Sequence, residues 1–154
     1  MSPAGSDSIV RVGVACFIKC RFEDGVKILL SKRKGSHGAG CWQVPGGHLE
    51  FKESFEECAR REVLEETNLE LDKIEFVTTT NDIMPADNKH YVTIFIQSTV
   101  EIKDIGRLRA MEPEKLEGEW LWVSWNDIQQ YKPLFTPIVN FSQQSEEITS
   151  ILLK

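Results

Sequence analysis

The segment from Ser54 to Thr67 constrains the fold most, because it predicts a helix whose packed face carries acidic residues. It contains no glycine or proline, and Ser54 followed by Glu57 matches a capping box. Asn68 is expected to end the helix, since asparagine tolerates the left-handed conformation. At about 100° per residue, the face that should be buried collects these side chains: Phe55, Cys58, Ala59, Glu62 and Glu66.

The acidic residues of this helix indicate a metal site. Glu65 and Glu66 follow Glu62 by three and four residues, so their side chains lie within about 6 Å of it. Like charges at that distance repel, and partial burial further disfavours ionisation. A divalent cation would offset the repulsion, and carboxylate oxygens suit Mg²⁺ or Mn²⁺ better than Zn²⁺. A solvated acidic helix end is the alternative, and the helix alone does not decide between them.

Residues upstream of the helix add phosphate chemistry. Gly46 and Gly47 follow a proline in a predicted turn, where backbone N–H and C=O groups can approach a ligand. The basic loop Lys32-Arg33-Lys34 precedes them by one short strand, although a solvated loop would have the same sequence. Together these features predict magnesium-assisted attack of water on phosphorus. A P-loop is excluded, because no G-x-x-x-x-G-K-[ST] motif occurs.

Alternating and apolar segments predict a mixed sheet with appended helices, an α+β fold class. Short helices are expected from Ser124 and from Thr136. The 154 residues fit one domain, which we place at 9–154 after a flexible tail at 1–8. The tryptophans at 120, 122 and 125 are assigned to the core or an interface. The predicted strands are 9–20, 26–30, 41–44, 74–80, 91–100 and 120–125.

Composition restricts the partners. Lysine plus arginine number 18 against 24 acidic residues, a net charge of −6, which argues against nucleic-acid polymers and anionic membranes as partners. No apolar run approaches the ~20 residues that span a bilayer. The four cysteines form no C-x-x-C pair, so we expect reduced thiols and a cytoplasmic location.

One long motif resembles the Nudix box, G-x5-E-x7-R-E-U-x-E-E-x-G-U. It reads Gly47-x5-Glu53-x7-Arg61-Glu62-Val63-x-Glu65-Glu66-x-Asn68-Leu69, and only Asn68 departs from the pattern. The stretches at 32–35, 42–51, 90–93 and 111–115 are similar to a MutT-type subgroup. That subgroup includes the thiopurine-nucleotide Nudix hydrolases of animals and a cytosolic plant relative. The resemblance runs from about Val10 to Phe135.

The resemblance implies an α/β/α sandwich that hydrolyses a nucleoside diphosphate linked to another group. It implies Glu62 and Glu66 as the main magnesium ligands, with Glu65 as a further ligand or as the base that deprotonates water. Arg61 and Glu53 would brace the loop and the helix. The full implied set of catalytic and metal-binding groups is Glu53, Arg61, Glu62, Glu65, Glu66 and the carbonyl of Gly46.

The expected substrates are nucleoside triphosphates, including oxidised purine nucleotides such as 8-oxo-dGTP, cut to monophosphate and pyrophosphate. Phe135 lies where relatives place an aromatic ring against the base. Alternatives are ADP-ribose, NADH, nucleotide sugars or prenyl diphosphates, and a non-catalytic nucleotide-binding module; relatives also form homodimers. The candidate substrate contacts are Lys32, Gly47, His48, Glu112, Lys115 and Phe135.

Overall fold

The computed structural model describes residues 8–35 and 37–154, so the predicted tail lies outside the described residues except for Ser8. The described residues form one mixed sheet of seven strands. The alternating segment at the start of the chain is β1, as predicted, and it runs two residues further than expected. The strands are β1 Val10–Phe22, β2 Gly25–Arg33, β3 Trp42–Gln43, β4 Gly46–His48, β5 Glu75–Met84, β6 Lys89–Val100 and β7 Leu116–Val123.

β1 lies at the centre of the sheet, whose order is β3-β2-β1-β6-β5. It pairs in parallel with β6 along most of its length, with Val10 opposite His90 and Cys20 opposite Val100. The remaining strand pairs are antiparallel, and among them β4 pairs with the first half of β1 and β7 pairs with β2. The mixed sheet predicted from the sequence is confirmed.

Helices cover both faces of the sheet, which gives the α/β/α sandwich. α1 packs Cys58, Ala59 and Val63 against the even-numbered residues of β1, such as Cys16. On the opposite face, Phe17 packs against Phe141 and other residues of the C-terminal helices. The α-helices are α1 Phe55–Thr67, α2 Thr136–Ser142 and α3 Glu146–Thr149, and 3₁₀ helices span Pro85–Asp87, Ile102–Arg107, Pro113–Lys115, Trp125–Gln130 and Ser150–Leu153.

Several local predictions needed correction. The residues expected as a turn at 45–47 enter strand β4, because Gly46 and Gly47 pair with β1. β7 begins four residues earlier than predicted and ends at Val123, so Trp125 lies in a 3₁₀ helix that Ser124 caps. Phe55 is 42% exposed rather than buried.

α2 and the residues that follow it cover the outer edge of β5. Asn140 Nδ2 donates to the carbonyl of Asn81 at 3.3 Å, and Gln144 Nε2 donates to the carbonyl of Thr79 at 3.1 Å. β5 has β6 as its only strand neighbour in the described sheet. Side-chain amides therefore occupy positions along β5 that another strand could otherwise use.

Across residues 8–35 and 37–154, none of the helices is both long enough and apolar enough to span a membrane.

Candidate active site

Both ends of α1 are fixed by the residues that the sequence indicated. The hydroxyl of Ser54 accepts the backbone N–H of Glu57 at 3.0 Å, and Asn68 adopts a left-handed conformation with φ 64°. The helix between them places Glu62 and Glu66 one turn apart on the side facing β4. Capping at both ends thus fixes the start and end of α1, and with them the positions of Glu62 and Glu66 beside β4.

A cavity of about 740 Å³ opens beside β4 and the second half of α1. Five of the six candidate substrate contacts line it, and so do Gly46, Glu62 and Glu66. The exception is Lys32, whose ammonium lies 3.9 Å from the Glu117 carboxylate. The cavity brings together these predicted residues: Gly46, Gly47, His48, Glu62, Glu66, Glu112, Lys115 and Phe135.

Glu62 and Glu66 form a close carboxylate pair at the helix side of this cavity. Burial raises the pKa of Glu66 well above its usual value, and the neighbouring charge of Glu62 raises it further. Burial also raises the pKa of Glu62, although the Arg61 guanidinium works in the opposite direction. Ionising both of these partly buried, neighbouring carboxyl groups is unfavourable, and a bound cation would relieve that repulsion.

β4 approaches the pair closely because its first two residues are glycine. A β-carbon built on Gly47 would lie 2.5 Å from Glu62 Oε1, so the carboxylate occupies the space of the missing side chain. The N–H of Gly46 lies 3.4 Å from Glu66 Oε2. Since the N–H and C=O of one strand residue point to the same edge, the Gly46 carbonyl faces the same side.

Arg61 braces the start of the helix and the loop before it. Its guanidinium makes two hydrogen bonds to Glu53, at 2.7 and 3.0 Å, and one to Glu62 at 2.6 Å. It also donates to the carbonyl of His48 at 3.1 Å. The hydrogen bonds from Arg61 lower the pKa of Glu53 to about 2. Arg61 and Glu53 do not line the cavity, which fits a bracing role.

Glu65 lies apart from the carboxylate pair. Its side chain is half exposed, and Oε2 is 3.6 Å from the Arg61 guanidinium. Within the described residues, no three His, Cys, Asp or Glu side chains converge as a ready metal cluster. Of the three predicted carboxylates, Glu62 and Glu66 line the cavity, whereas Glu65 lies on the side of α1 that faces solvent.

The residues present nevertheless fit a hard divalent cation. Glu62 and Glu66 supply carboxylate oxygens. Because burial disfavours two negative charges at this place, a cation would stabilise the ionised pair. The Gly46 carbonyl faces their side, and oxygen donors of this kind suit Mg²⁺, Mn²⁺ or Ca²⁺.

Arg33, together with Lys34 and in contrast to Lys32, is a basic residue of this segment that lines the cavity. Its guanidinium stacks over the Phe135 ring, with 4.1 Å from Cζ to the ring centroid, and donates to Gln43 Oε1 at 2.5 Å. β2 extends to Arg33, so consecutive side chains point to opposite faces of the sheet. Lys115 also lines the cavity and pairs with Glu112 at 3.1 Å.

Aromatic rings form a row along the other side of the cavity. Successive ring centroids are 5.7 Å apart from Phe135 to His37, 5.6 Å from His37 to Tyr91, and 5.3 Å from Tyr91 to His48. His48 Nε2 is also 2.8 Å from the Tyr91 hydroxyl. Burial lowers the pKa of both histidines. Both imidazole rings are therefore uncharged near neutral pH.

His37 and Tyr91 were not assigned to the site from the sequence, and Arg33 was named only as part of the basic loop 32–34. Only pairing register could have indicated Tyr91, which stands opposite Arg11 on the central strand. Trp120 is buried as expected for the core, but it also lines the cavity and donates to the Glu66 carbonyl at 3.2 Å.

Comparison with known proteins places this site in a family. Residues 10–144 match the family described as NUDIX domain. A MutT Nudix hydrolase from Burkholderia pseudomallei has a similar crystal structure, with a TM-score of 0.73 and 29% identity. The alignment covers 89% of this chain and 99% of that one.

Curated relatives carry names of diphosphate hydrolases. A putative 8-oxo-dGTP diphosphatase 3 from Mycobacterium tuberculosis is 29% identical over 109 residues, which is 68% of this chain and 48% of that protein. An oxidized purine nucleoside triphosphate hydrolase from Danio rerio is 38% identical over 106 residues, 68% of this chain and 60% of that protein. An ADP-ribose pyrophosphatase from Methanocaldococcus jannaschii is 51% identical over 43 residues, 28% of this chain and 25% of that protein. The chain thus spans about half of the length of the first of these relatives.

Proposed function

Because the chain belongs to the Nudix family of hydrolases, we propose that it is a magnesium-dependent nucleoside triphosphate diphosphatase. It would convert nucleoside triphosphates, including oxidised purine nucleotides such as 8-oxo-dGTP, to monophosphate and pyrophosphate. One observation carries the proposal: a single cavity holds the carboxylate pair Glu62 and Glu66 and the aromatic row that includes Phe135. A nucleotide needs both environments in one cavity: a metal site for its phosphates and aromatic rings for its base.

The aromatic side of the cavity supports a planar base. The Arg33 guanidinium lies over one face of the Phe135 ring. Aromatic rings and arginine side chains both stack readily on a nucleobase. The uncharged rings of His37 and Tyr91 continue that wall. Lys115 adds a cation near the carboxylates for a phosphate group, and Glu112 orients it.

The phosphate side of the cavity supports hydrolysis of an anhydride bond. Glu62, Glu66 and the Gly46 carbonyl would hold Mg²⁺, which supplies Lewis acidity toward phosphate oxygens and lowers the pKa of water. Glu65 is placed on the same helix, where it would complete the ligand set or take the proton from water. Water adds to one phosphorus of the α–β anhydride, and the bond from that phosphorus to the bridging oxygen breaks. The departing group, pyrophosphate or the nucleoside monophosphate, keeps the electron pair. Arg61 would fix Glu62 for this step through their contact at 2.6 Å.

The test is a substrate panel incubated with Mg²⁺ and resolved by chromatography. It includes ordinary, oxidised and thiolated nucleoside triphosphates, ADP-ribose, NADH, a nucleotide sugar and a prenyl diphosphate. The proposal expects an oxidised purine triphosphate to give the highest kcat/KM and pyrophosphate as product. Release of orthophosphate, or faster cleavage of a substrate that is not a triphosphate, would contradict it. Incubation in H₂¹⁸O identifies which phosphorus water attacks.

The matched variants are Glu62→Gln and Glu56→Gln. Glu56 lies on the same helix but is exposed to solvent. Glu62→Gln should lower kcat by about 10²-fold or more without unfolding the protein, whereas Glu56→Gln should keep wild-type activity. Nucleotide binding without turnover in the wild-type protein would favour a non-catalytic module instead.

We also propose a homodimer and a cytoplasmic location, which follow from the family resemblance and from the free, mostly buried cysteines. Sedimentation equilibrium should give twice the monomer mass at micromolar concentration. A monomer at that concentration would contradict the dimer.

A further inference from the structure

The proposed hydrolysis gives no role to one buried carboxylate, which lies apart from Glu62 and Glu66. Asp82 on β5 is 0% exposed. Its Oδ1 accepts a hydrogen bond from Asn140 Nδ2 at 2.9 Å. Its Oδ2 accepts hydroxyl hydrogen bonds from Thr80, at 3.0 Å, and from Thr93. These three donors satisfy a carboxylate that is fully buried.

Thr93 connects this carboxylate to the cavity. Thr93 lines the cavity, two residues from Tyr91 on the same face of β6. Gly13 leaves the approach open, because a β-carbon built there would lie 4.0 Å from Thr93 Oγ1 and 3.8 Å from Tyr91 Cδ1. Thr93 is only 5% exposed, but the missing side chain at Gly13 leaves room beside its hydroxyl, on the side where the aromatic row would hold a base.

The carboxylate fixes which way the Thr93 hydroxyl points. A carboxylate only accepts hydrogen bonds, so Thr93 donates its single hydroxyl hydrogen to Asp82. The Thr93 Oγ1 atom then has only lone pairs available for other partners. Toward the cavity, this hydroxyl can thus accept a hydrogen bond and cannot donate one. A ligand atom placed there must carry a hydrogen, or else two lone pairs face each other.

We infer that Asp82, acting through Thr93, makes the base-binding side of the cavity select purine nucleotides whose base presents a ring N–H. The inference rests on the proposed nucleotide function and adds the base chemistry to it. Hypoxanthine carries hydrogen at N1 where adenine has a lone pair, and 8-oxoguanine carries hydrogen at N7 where guanine has a lone pair. Asp82 is a positioning residue in this scheme, since it does not itself line the cavity.

Replacing Asp82 by asparagine should reverse the polarity of Thr93. Asn140 donates to Oδ1, so in Asp82→Asn the amide oxygen keeps that position and the amide nitrogen replaces Oδ2. The two amide hydrogens then point at the hydroxyls of Thr80 and Thr93, which must accept them. The hydrogen of Thr93 is released toward the cavity, and a base lone pair becomes the favoured partner.

The experiment measures kcat/KM for two matched substrate pairs, dITP with dATP and 8-oxo-dGTP with dGTP. For at least one pair, Asp82→Asn should lower the preference for the N–H base by about 10- to 100-fold. The pair that responds identifies the edge of the base that faces Thr93. A change below about twofold in both pairs would overturn the inference.

Two further variants separate selectivity from folding. Thr80→Val removes a hydroxyl from the same carboxylate, but Thr80 does not line the cavity, so the base preference should stay unchanged. Thr93→Val should weaken the preference, and adding Asp82→Asn to it should change the preference no further. An equal loss of preference in Thr80→Val and Asp82→Asn would mean that the cluster only supports the fold.

Calorimetric binding of the product monophosphates distinguishes this inference from the proposed activity. The pairs are dIMP with dAMP and 8-oxo-dGMP with dGMP, and their Kd ratios should follow the same pattern without turnover. If the wild-type protein cleaves no triphosphate, the proposed activity fails while the Kd ratios still decide the inference. If it cleaves triphosphates with unchanged ratios in Asp82→Asn, only the inference fails. Failure to bind any of the four monophosphates, together with no cleavage of the triphosphates, overturns both.

Discussion

Gly47→Ala should damage catalysis while leaving the fold intact. The new β-carbon would lie 2.5 Å from Glu62 Oε1, whereas ordinary contact begins at 3.4 Å, so the carboxylate must retreat by about 1 Å. The clash involves the end of a side chain and no backbone atom, so the protein can accommodate it. A displacement of that size at a catalytic group reduces kcat/KM by about 10²-fold, or about 2.7 kcal/mol of transition-state stabilisation.

The assay is steady-state hydrolysis at saturating Mg²⁺, combined with thermal unfolding. Gly106→Ala is the matched control, because no atom lies within 4 Å of a β-carbon built at Gly106. Gly46→Ala is the contrasting variant. Its β-carbon would lie 2.9 Å from Ala15 Cα and nearer still to the Val14 carbonyl, both backbone positions of β1. That variant should therefore lower the unfolding temperature, because the β1–β4 pairing cannot shift without loss.

Gly47→Ala activity within about threefold of wild type would refute the reasoning. It would mean that Glu62 tolerates displacement and does not act at the reacting phosphate. A fall in activity that is matched by a fall in unfolding temperature would also count against it, since the geometry predicts a local effect.

Three other variants test the brace, the carboxylate pair and the aromatic row. Glu53→Gln should destabilise the protein most above pH 4.5, and its difference in stability from wild type should shrink as pH falls toward 2. The reason is that Arg61 lowers the pKa of Glu53 to about 2 in the folded state. Urea unfolding across this pH range measures the difference in stability. Glu66→Gln should be more stable than wild type in EDTA at pH 8, because burial raises the pKa of Glu66 and stability therefore falls as pH rises past the usual carboxyl value. In the same thermal scans, Mg²⁺ should stabilise wild type but not this variant. Phe135→Ala should raise KM for nucleotides by about 10-fold with a smaller change in kcat, and Phe76→Ala, which alters an exposed ring on β5, should leave both unchanged in steady-state kinetics.

Opposite outcomes would be informative in each case. A constant Glu53→Gln deficit from pH 7 to pH 2 would mean that packing, not the ion pair, accounts for the loss. A less stable Glu66→Gln protein in EDTA would show that its carboxyl is well solvated or compensated. A Phe135→Ala enzyme with unchanged KM would place the base elsewhere in the cavity.

Local signals in the sequence predicted α1 well. Its two ends depend on Ser54 and Asn68, whose capping interactions involve residues within four positions along the chain. Period-two alternation also predicted β1, although both of its faces are buried from Cys16 to Cys20. Phe55 departs from the prediction, because periodicity indicates a face of the helix but not how far the neighbouring sheet extends beneath it.

The base-binding wall could not be predicted in the same way. Whether Lys32 or Arg33 enters the cavity depends on β2 continuing to Arg33, and a strand that ends one residue earlier or later changes which side chain points inward. Asp82, Thr93 and Asn140 meet only because β5 pairs with β6 in one register and α2 crosses that pair. Such contacts join residues up to 58 positions apart, and no short-range pattern encodes them.

The amides of Asn140 and Gln144 also bear on how the protein behaves at high concentration. An uncovered outer strand is a template on which another molecule can add its own strand, the first step of many aggregates. By holding the carbonyls of Asn81 and Thr79, these two side chains block part of that template. Asn140 donates to Asp82 as well. A substitution at Asn140 should therefore increase self-association and also weaken the preference between bases. Colloidal stability and substrate choice would thus depend on the same side-chain amide.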